Sequence, residues 1–124
     1  LIDTIMNSEE LRSYCIQKKA VEESFPFDAE TLVFKIGGKI FLLFSLSSSP
    51  VQFNVKSEPE IAIELREKFH CVLPGYHMSK KHWNTIICDG SVKDALIKEW
   101  IDDSYNLVYN GLTKKIKLEI DTLE

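Results

Sequence analysis

Three segments of the chain place apolar residues at the spacing of an α-helix, each after a polar residue that can cap the helix start. The predicted helices begin near residues 8, 57 and 91 and end near residues 20, 69 and 111. The predicted capping pairs are Asn7 with Glu10, Ser57 with Glu60, and Ser91 with Asp94. On the second helix, the spacing predicts a buried stripe formed by Ile61, Leu65 and Phe69.

Between the first and second helices the apolar period changes to two, which is typical of β-strands. The alternation predicts a strand over residues 31–36, a continuous apolar run predicts a second over residues 39–44, and alternation predicts two more over residues 51–55 and 83–88. Gly37 and Gly38 can both adopt positive φ, so we expect a tight hairpin between the first two strands. The second strand is apolar on both faces, which predicts a central position in the sheet.

These elements predict one domain over residues 1–124, an α/β fold of the α+β type with two layers, an antiparallel sheet and helices. The tail, residues 113–124, alternates lysines with apolar residues and is predicted to be a short edge strand or frayed. Phe25 and Phe27 flank a proline and can either form a peptide groove or staple the first helix to the sheet, and we favour the staple. The predicted core comprises Leu32, Phe34, Ile36, Leu42, Phe53, Ile61, Leu65, Ile87, Leu96 and Trp100.

Composition places the chain among ordinary globular proteins, because 44% of its 124 residues are hydrophobic and 27% are charged. Its three cysteines are an odd number with wide spacing, which disfavours a secreted disulfide framework. The longest apolar run, from Ile40 to Phe44, is far below the ~20 residues of a membrane helix. We therefore expect a cytoplasmic protein without a membrane segment, although the chain begins with Leu1 and its natural start can lie further upstream.

Charge is distributed unevenly although the whole chain carries −4. Residues 1–30 carry −4, residues 31–88 carry +3 and residues 89–124 carry −3. Residues 31–57 contain three lysines and no acid, and residues 68–88 contain three lysines, three histidines and no acid. If these two stretches lie together, one face of the protein is positive.

The segment PGYHMSKKHWN, residues 74–84, concentrates bases and aromatic rings between two apolar stretches. Lysines neutralise phosphates and aromatic rings stack on bases, so this pattern is typical of a nucleic-acid contact, but it is also typical of a solvated loop. Trp83 begins an apolar alternation, which favours a core position for its ring. The candidate contact residues for DNA are Lys80, Lys81 and His82, with Lys56, Lys39 and Lys35 as helpers.

Catalytic and metal-binding patterns are incomplete. Cys71, His77, His82 and Cys88 have ligand-type side chains, but their gaps lack the short pairs of structural zinc sites. A nucleophilic cysteine would need an orienting group and an oxyanion donor, and the sequence marks neither. We therefore expect no enzyme activity, no bound metal, no cofactor and no small-molecule substrate.

Five segments in one order resemble the MmcQ/YjbR family: FPFD at residues 25–28, FKIGGKIF at 34–41, NVKSEPE with LRE between 54 and 67, PGYHMSKKHWN at 74–84, and SYNLV at 104–108. The resemblance covers about residues 8–112. It implies a two-layer fold like that of type III secretion chaperones and DNA binding through a double-wing motif.

Two functions of different classes follow. The first is a DNA-binding module that uses the basic central face, with weak and poorly sequence-specific binding because the chain has only two arginines, Arg12 and Arg66. The second is a protein-interaction module, which the chaperone-like fold implies by analogy. Salt dependence separates them, because polyanion binding weakens steeply with salt.

Overall fold

A computed structural model describes residues 5–76 and 78–123 of the chain. This part of the chain folds into a six-stranded sheet and four helices. The helices are α1 (Ser8–Ile16), α2 (Pro59–Lys68), α3 (Asp94–Asn110) and α4 (Lys114–Asp121). The strands are β1 (Val21–Ser24), β2 (Thr31–Ile36), β3 (Lys39–Ser45), β4 (Gln52–Lys56), β5 (Val72–Pro74) and β6 (Trp83–Ile87).

All neighbouring strands of the sheet are antiparallel, in the order β1-β2-β3-β4-β6-β5. The predicted α+β class is confirmed, as is the central position of β3. Gly37 and Gly38 form the β2–β3 hairpin turn with φ of 58° and 81°, a conformation that residues with a Cβ adopt only at a cost. The strands β1 and β5, at the two edges of the sheet, are additions to the predicted set.

The main core lies between one face of the sheet and the helices. Two rows of strand residues point into it, and both are almost entirely apolar: Leu32, Phe44, Phe53, Ile86 and Val72 form one row, and Phe34, Leu42, Val55 and Asn84 form the other. A smaller cluster on the opposite face contains Val33, Leu43 and Trp83, with Ile40 and Met78 packed against it. The sheet therefore has one face packed against the described helices and one face without them, which we call the uncovered face.

Most of the predicted core is confirmed. Leu32, Phe34, Ile36, Leu42, Phe53 and Trp100 are buried, whereas Leu65, Ile87 and Leu96 are half-buried. The prediction was wrong for Ile61, which is 46% exposed. The buried residue of α2 is instead Ala62, because the small side chain lets the helix approach the sheet while Ile61 points along the space between α2 and α3.

Of the three predicted capping boxes, only the first forms. Asn7 Oδ1 accepts a hydrogen bond from Glu10 N at 2.8 Å, and Asn7 N donates in return to the Glu10 carboxylate. The helix ends at Ile16 rather than near Ala20, because Ala20 adopts a φ of 62° and leads into β1. The helices α2 and α3 start after Glu58 and Lys93, which make no side-chain capping bond, so both of those predictions were wrong.

The prediction of an edge strand or a frayed end for the tail was wrong, because residues 114–121 form α4. Thr113 caps the helix by accepting a hydrogen bond from Ile116 N at 3.2 Å. Helical spacing brings Ile116 and Ile120 onto the protein while Leu118 faces solvent. The alternation that suggested a strand is thus the inner and outer side of a short helix.

Phe25 and Phe27 do not staple α1 to the sheet, since they are 47% and 65% exposed. They lie in the connection between the edge strand β1 and β2, and Phe27 borders a depression on the uncovered face of the sheet together with Leu43 and Met78. Among the described residues, no helix is long and apolar enough to cross a bilayer.

Candidate nucleic-acid interface

Three of the lysines predicted to contact DNA line one surface cavity of about 480 Å³. Lys35 comes from β2, Lys39 from the first position of β3, and Lys56 from the last position of β4. The remaining wall is uncharged and includes Gly38, Ile40, Trp83 and the end of α3. We call this depression the basic cavity.

The geometry of the β2–β3 hairpin places Lys35 and Lys39 together. Lys39 pairs with Ile36, Lys35 pairs with Ile40, and an irregularity between Phe34 and Lys35 shifts the register at this point. The two-residue glycine turn leaves the two lysines four positions apart in the sequence, one on each side of the turn. The hairpin therefore presents two ammonium groups at one end of the sheet.

Lys56 is fixed from the other side by a buried serine. Lys56 N donates to Ser104 Oγ at 2.8 Å, and that hydroxyl donates to Phe41 O at 2.6 Å. Ser104 is fully buried on α3, so it ties the helix to two adjacent strands. The backbone of Lys56 is thereby held while its long side chain reaches the basic cavity.

The lysines of the basic cavity lack a carboxylate partner in the part of the chain that the structure describes. In residues 5–76 and 78–123, no carboxylate lies within ion-pair distance of Lys35, Lys39 or Lys56. One acid is a close neighbour, because Glu22 on β1 lies directly across from Lys35. An anion in the basic cavity would therefore be attracted by three lysines and repelled by the carboxylate of Glu22 on the β1 side.

The loop between β5 and β6, described over residues 75–76 and 78–82 and called here the lysine-rich loop, lies next to the basic cavity but does not line it. His82 O accepts a hydrogen bond from Ser57 N at 2.8 Å, which joins the loop to the residue after Lys56. Lys80 Nζ donates to Gly75 O at 3.1 Å and so closes its own loop, whereas Lys81 is exposed. His77 lies outside the described residues.

Trp83 connects the loop, the basic cavity and the small core cluster. Its ring is buried beside Val33 and Leu43, as the alternation predicted, yet it also forms part of the cavity wall. The chain turns back tightly here, because Gly75 N donates to Trp83 O at 2.9 Å and a Cβ on Gly75 would lie 2.8 Å from that oxygen. The ring of Trp83 therefore forms part of the cavity wall and is too buried for a nucleic-acid base to stack on it.

Both arginines of the chain lie away from the basic cavity. Arg12 forms a two-bond ion pair with Glu23, and this contact raises the pKa of the guanidinium. Arg66 Nε donates to Ala62 O at 3.2 Å. The fork-shaped donor that recognises guanine or phosphate in a bidentate manner is therefore absent from the cavity lining.

The candidate metal and nucleophile residues are scattered or buried. Cys15, Cys71 and Cys88 are free, buried thiols, and burial raises the pKa of Cys15 and of Cys88 to about 12. Among the described residues, no three His, Cys, Asp or Glu side chains converge in a metal-binding arrangement. The thiolate that nucleophilic catalysis needs is disfavoured at both of those cysteines.

Together, the sheet, the helices on one face and the lysine-lined hairpin define a small α+β protein with a basic cavity at one end of its sheet. The chain belongs to the YjbR family, whose family model matches residues 16–107. The chain is 38% identical over 107 residues to the uncharacterized protein YbdF of Escherichia coli O157:H7, covering 86% of this chain and 88% of YbdF. It is 31% identical over 110 residues to the uncharacterized protein YjbR of Escherichia coli K12, covering 89% and 93%.

Two solved structures share the fold. The crystal structure of Deinococcus radiodurans protein DR2400, described with a DUF419 domain, superimposes with a TM-score of 0.88 at 38% identity and covers 100% of this chain and 96% of that one. A protein from Pseudomonas syringae gives a TM-score of 0.72 at 25% identity, covering 83% of this chain and 99% of that one. The resemblance to the YjbR family is thus confirmed over nearly the whole chain.

Proposed function

We propose that this protein is a non-catalytic binding module that contacts DNA weakly, and with poor sequence specificity, through its basic cavity and the adjoining lysine-rich loop. The observation that carries the proposal is the convergence of Lys35, Lys39 and Lys56 on one cavity without an ion-pair partner in the described part of the chain. Three ammonium groups on one cavity favour a polyanion, because its phosphates neutralise them and release condensed counterions.

Poor specificity follows from the kind of cation and from its surroundings. Lysine is a point charge that binds phosphate without reading base edges, and phosphate contacts position a protein without selecting a sequence. The acidic net charge of −4 opposes approach to DNA at long range. We therefore expect affinity to be low and to depend on a few phosphates.

Fluorescence anisotropy with a labelled DNA duplex across a salt series tests the proposal. If three or four phosphates are neutralised, the slope of log K against log salt is about −3 to −4. The variant Lys39→Gln with Lys56→Gln should bind more weakly, with a slope about 2 units shallower. A charge-matched control, Lys93→Gln with Lys98→Gln, changes two exposed lysines outside the basic cavity and should bind as the native protein does.

The contribution of the loop is measured separately with Lys80→Gln and Lys81→Gln. A loss of binding in this variant alone would assign the contact to the loop rather than to the basic cavity. Absence of binding at low salt, or equal losses in the control and in the cavity variant, would contradict the proposal.

The second candidate function, protein binding, is favoured by the uncovered face of the sheet. Phe27, Leu73 and Tyr76 are exposed on or beside this side of the protein, and exposed apolar patches mark interaction sites. A complex formed there should tolerate salt, in contrast to a DNA complex.

We also infer a reducing compartment, because all three cysteines are unpaired.

A further inference from the structure

A groove of about 570 Å³ runs between α2 and α3, on the helix-covered side of the sheet. Its lining shares Lys56 and Leu107 with the basic cavity and otherwise consists of different residues. Its apolar lining includes Leu65, Phe69, Leu96 and Trp100. The rings of Phe69 and Trp100 meet edge to face with centroids 5.1 Å apart. This volume is within the range of about 300–1,000 Å³ that is typical of small-molecule sites.

The groove exists because α2 and α3 do not close against each other. Ile61 was predicted to be buried but lies 46% exposed on the groove wall. Ala62 is the buried residue of α2 in its place, and the apolar side chains of Ile61 and Leu65 both line the groove. An apolar ligand would cover surface that the fold itself leaves uncovered.

The α3 side of the groove is acidic. Glu99 and Asp103 are one helical turn apart and both line the groove. Neither carboxylate has an ion-pair partner in residues 5–76 and 78–123. The pKa of Asp103 is raised, first by burial and then by the charges of Glu99 and Asp102, so a cation placed here would relieve a like-charge repulsion.

The floor of the groove contains a buried acceptor without a donor. Asn84 lies in a core-facing row of β6 and is fully buried. Its Nδ2 donates to Ala62 O at 3.1 Å, while its Oδ1 has no hydrogen-bond partner among the residues that the structure describes. An unsatisfied buried acceptor is costly, and a donor from a ligand would offset that cost.

We propose that the groove between α2 and α3 is a binding site for a small organic cation that carries an ammonium group on a flat apolar body. Glu99, Asp103 and Asn84 Oδ1 are all acceptors, so they select a group that only donates, as an ammonium does. Trp100 and Phe69 contact the apolar body and favour a nearby cation through their ring faces.

The opposite rim shows that this environment accepts an ammonium. Lys68 Nζ lies 5.6 Å from the centroid of the Phe69 ring. Lys68 and Lys56 are the two basic residues of the lining, against four acids, Glu58, Glu64, Glu99 and Asp103. The net charge of the lining therefore excludes anions and orients the ligand with its ammonium group toward α3.

Isothermal titration calorimetry with tryptamine tests the proposal, because tryptamine joins a primary ammonium to a flat ring. Indole-3-propionate is the matched probe, with the same ring and a negative charge. We expect tryptamine to bind and indole-3-propionate to bind at least about tenfold more weakly. The variant Glu99→Gln with Asp103→Asn should weaken tryptamine binding about tenfold or more, since it removes two charged acceptors.

The control variant is Glu60→Gln with Glu67→Gln, which removes two acids of α2 that do not line the groove. It has the same net charge as the groove variant and should bind tryptamine as the native protein does. The proposal would be overturned by an absence of tryptamine binding, by equal binding of the two probes, or by equal weakening in both variants. Equal binding of neutral indole would show an apolar site without cation selection and would likewise overturn it.

Discussion

The turn between β2 and β3 offers a sharp test of the packing, because its two glycines have similar backbones and different surroundings. Gly37 and Gly38 both have positive φ. A Cβ built on Gly37 would lie 2.6 Å from Leu112 Cδ1 and 3.0 Å from Ile116 Cγ2, whereas a Cβ on Gly38 would have no atom within 4 Å. Alanine at either position therefore carries the cost of a positive φ, but only alanine at position 37 also carries the cost of a steric clash.

The shared cost is the left-handed backbone, about 1–2 kcal/mol for a residue with a Cβ. Gly37→Ala adds a steric cost, because Leu112 is buried and its methyl group has little room to move. Overpacking of this kind typically costs about 1–3 kcal/mol. We expect Gly38→Ala to lower the free energy of unfolding by about 1–2 kcal/mol and Gly37→Ala by about 2–5 kcal/mol.

Urea denaturation followed by circular dichroism measures both changes, provided that the slope of the unfolding free energy against urea concentration is the same in all variants. The combination of Gly37→Ala with Leu112→Ala isolates the contact, since the truncated side chain no longer reaches the new Cβ. The double variant should lose less than the sum of the two single losses. An equal loss for Gly37→Ala and Gly38→Ala would refute the packing of the residue 112–116 region against the hairpin.

Three further predictions concern the helices and the thiols. Ser104→Ala removes a buried hydroxyl that bonds to two strand backbones, so it should lower the free energy of unfolding by about 1–3 kcal/mol; an unchanged urea midpoint would contradict this. Burial, then a hydrogen bond to Asp102, raises the pKa of Tyr14 to about 12. The protonated phenol therefore contributes fully to the free energy of unfolding below the ordinary pKa of 10.0, and this contribution is lost as the pH rises toward 12. The loss of stability at alkaline pH should be smaller in Tyr14→Phe. A thiol reagent at neutral pH should label none of the cysteines in the native protein and all of them in guanidinium chloride, and rapid native labelling would show that a site is accessible. The three thiols are Cys15, Cys71 and Cys88.

The parts of the fold that could be predicted are those whose local sequence determines them. The alternation over residues 31–36 and the apolar run within residues 39–44 indicate strands whichever partners they have, and two consecutive glycines indicate the turn between them. The capping box at Asn7 also needs only four neighbouring residues. For these elements local preference and tertiary packing agree.

The missed elements depend on partners that are distant in the sequence. The strand β5 has three residues and exists because it pairs with β6, and β1 exists because it pairs with β2. The helix α4 has too few residues to show a helical period clearly, and its inner side is defined by contacts with the β2–β3 hairpin. A short alternating segment is ambiguous until such a partner is known.

The candidate site was predictable in part for the same reason. Lys35 and Lys39 flank a recognisable hairpin, so their proximity follows from the sequence. The arrival of Lys56 beside them requires the order of the strands and the bond from its backbone to Ser104. The groove between α2 and α3 could not be predicted, because it forms between two helices that are separated along the chain by β5 and β6, and Ile61 on its wall is exposed against the expectation from helical spacing.

Asn84 is the residue at which local sequence rules and the fold disagree most clearly. It occupies a core-facing position in a row with Phe34, Leu42 and Val55, where an apolar side chain would be expected. Its bond to Ala62 O does not explain it, because that carbonyl lies inside α2, where helix geometry supplies a partner, and it also accepts from Arg66 Nε. The side chain of Asn84 is buried, uses only one of its two polar atoms among the described residues and is not needed by α2. Buried polar groups without a structural reason concentrate where a protein binds or reacts, which supports a binding role for the adjacent groove.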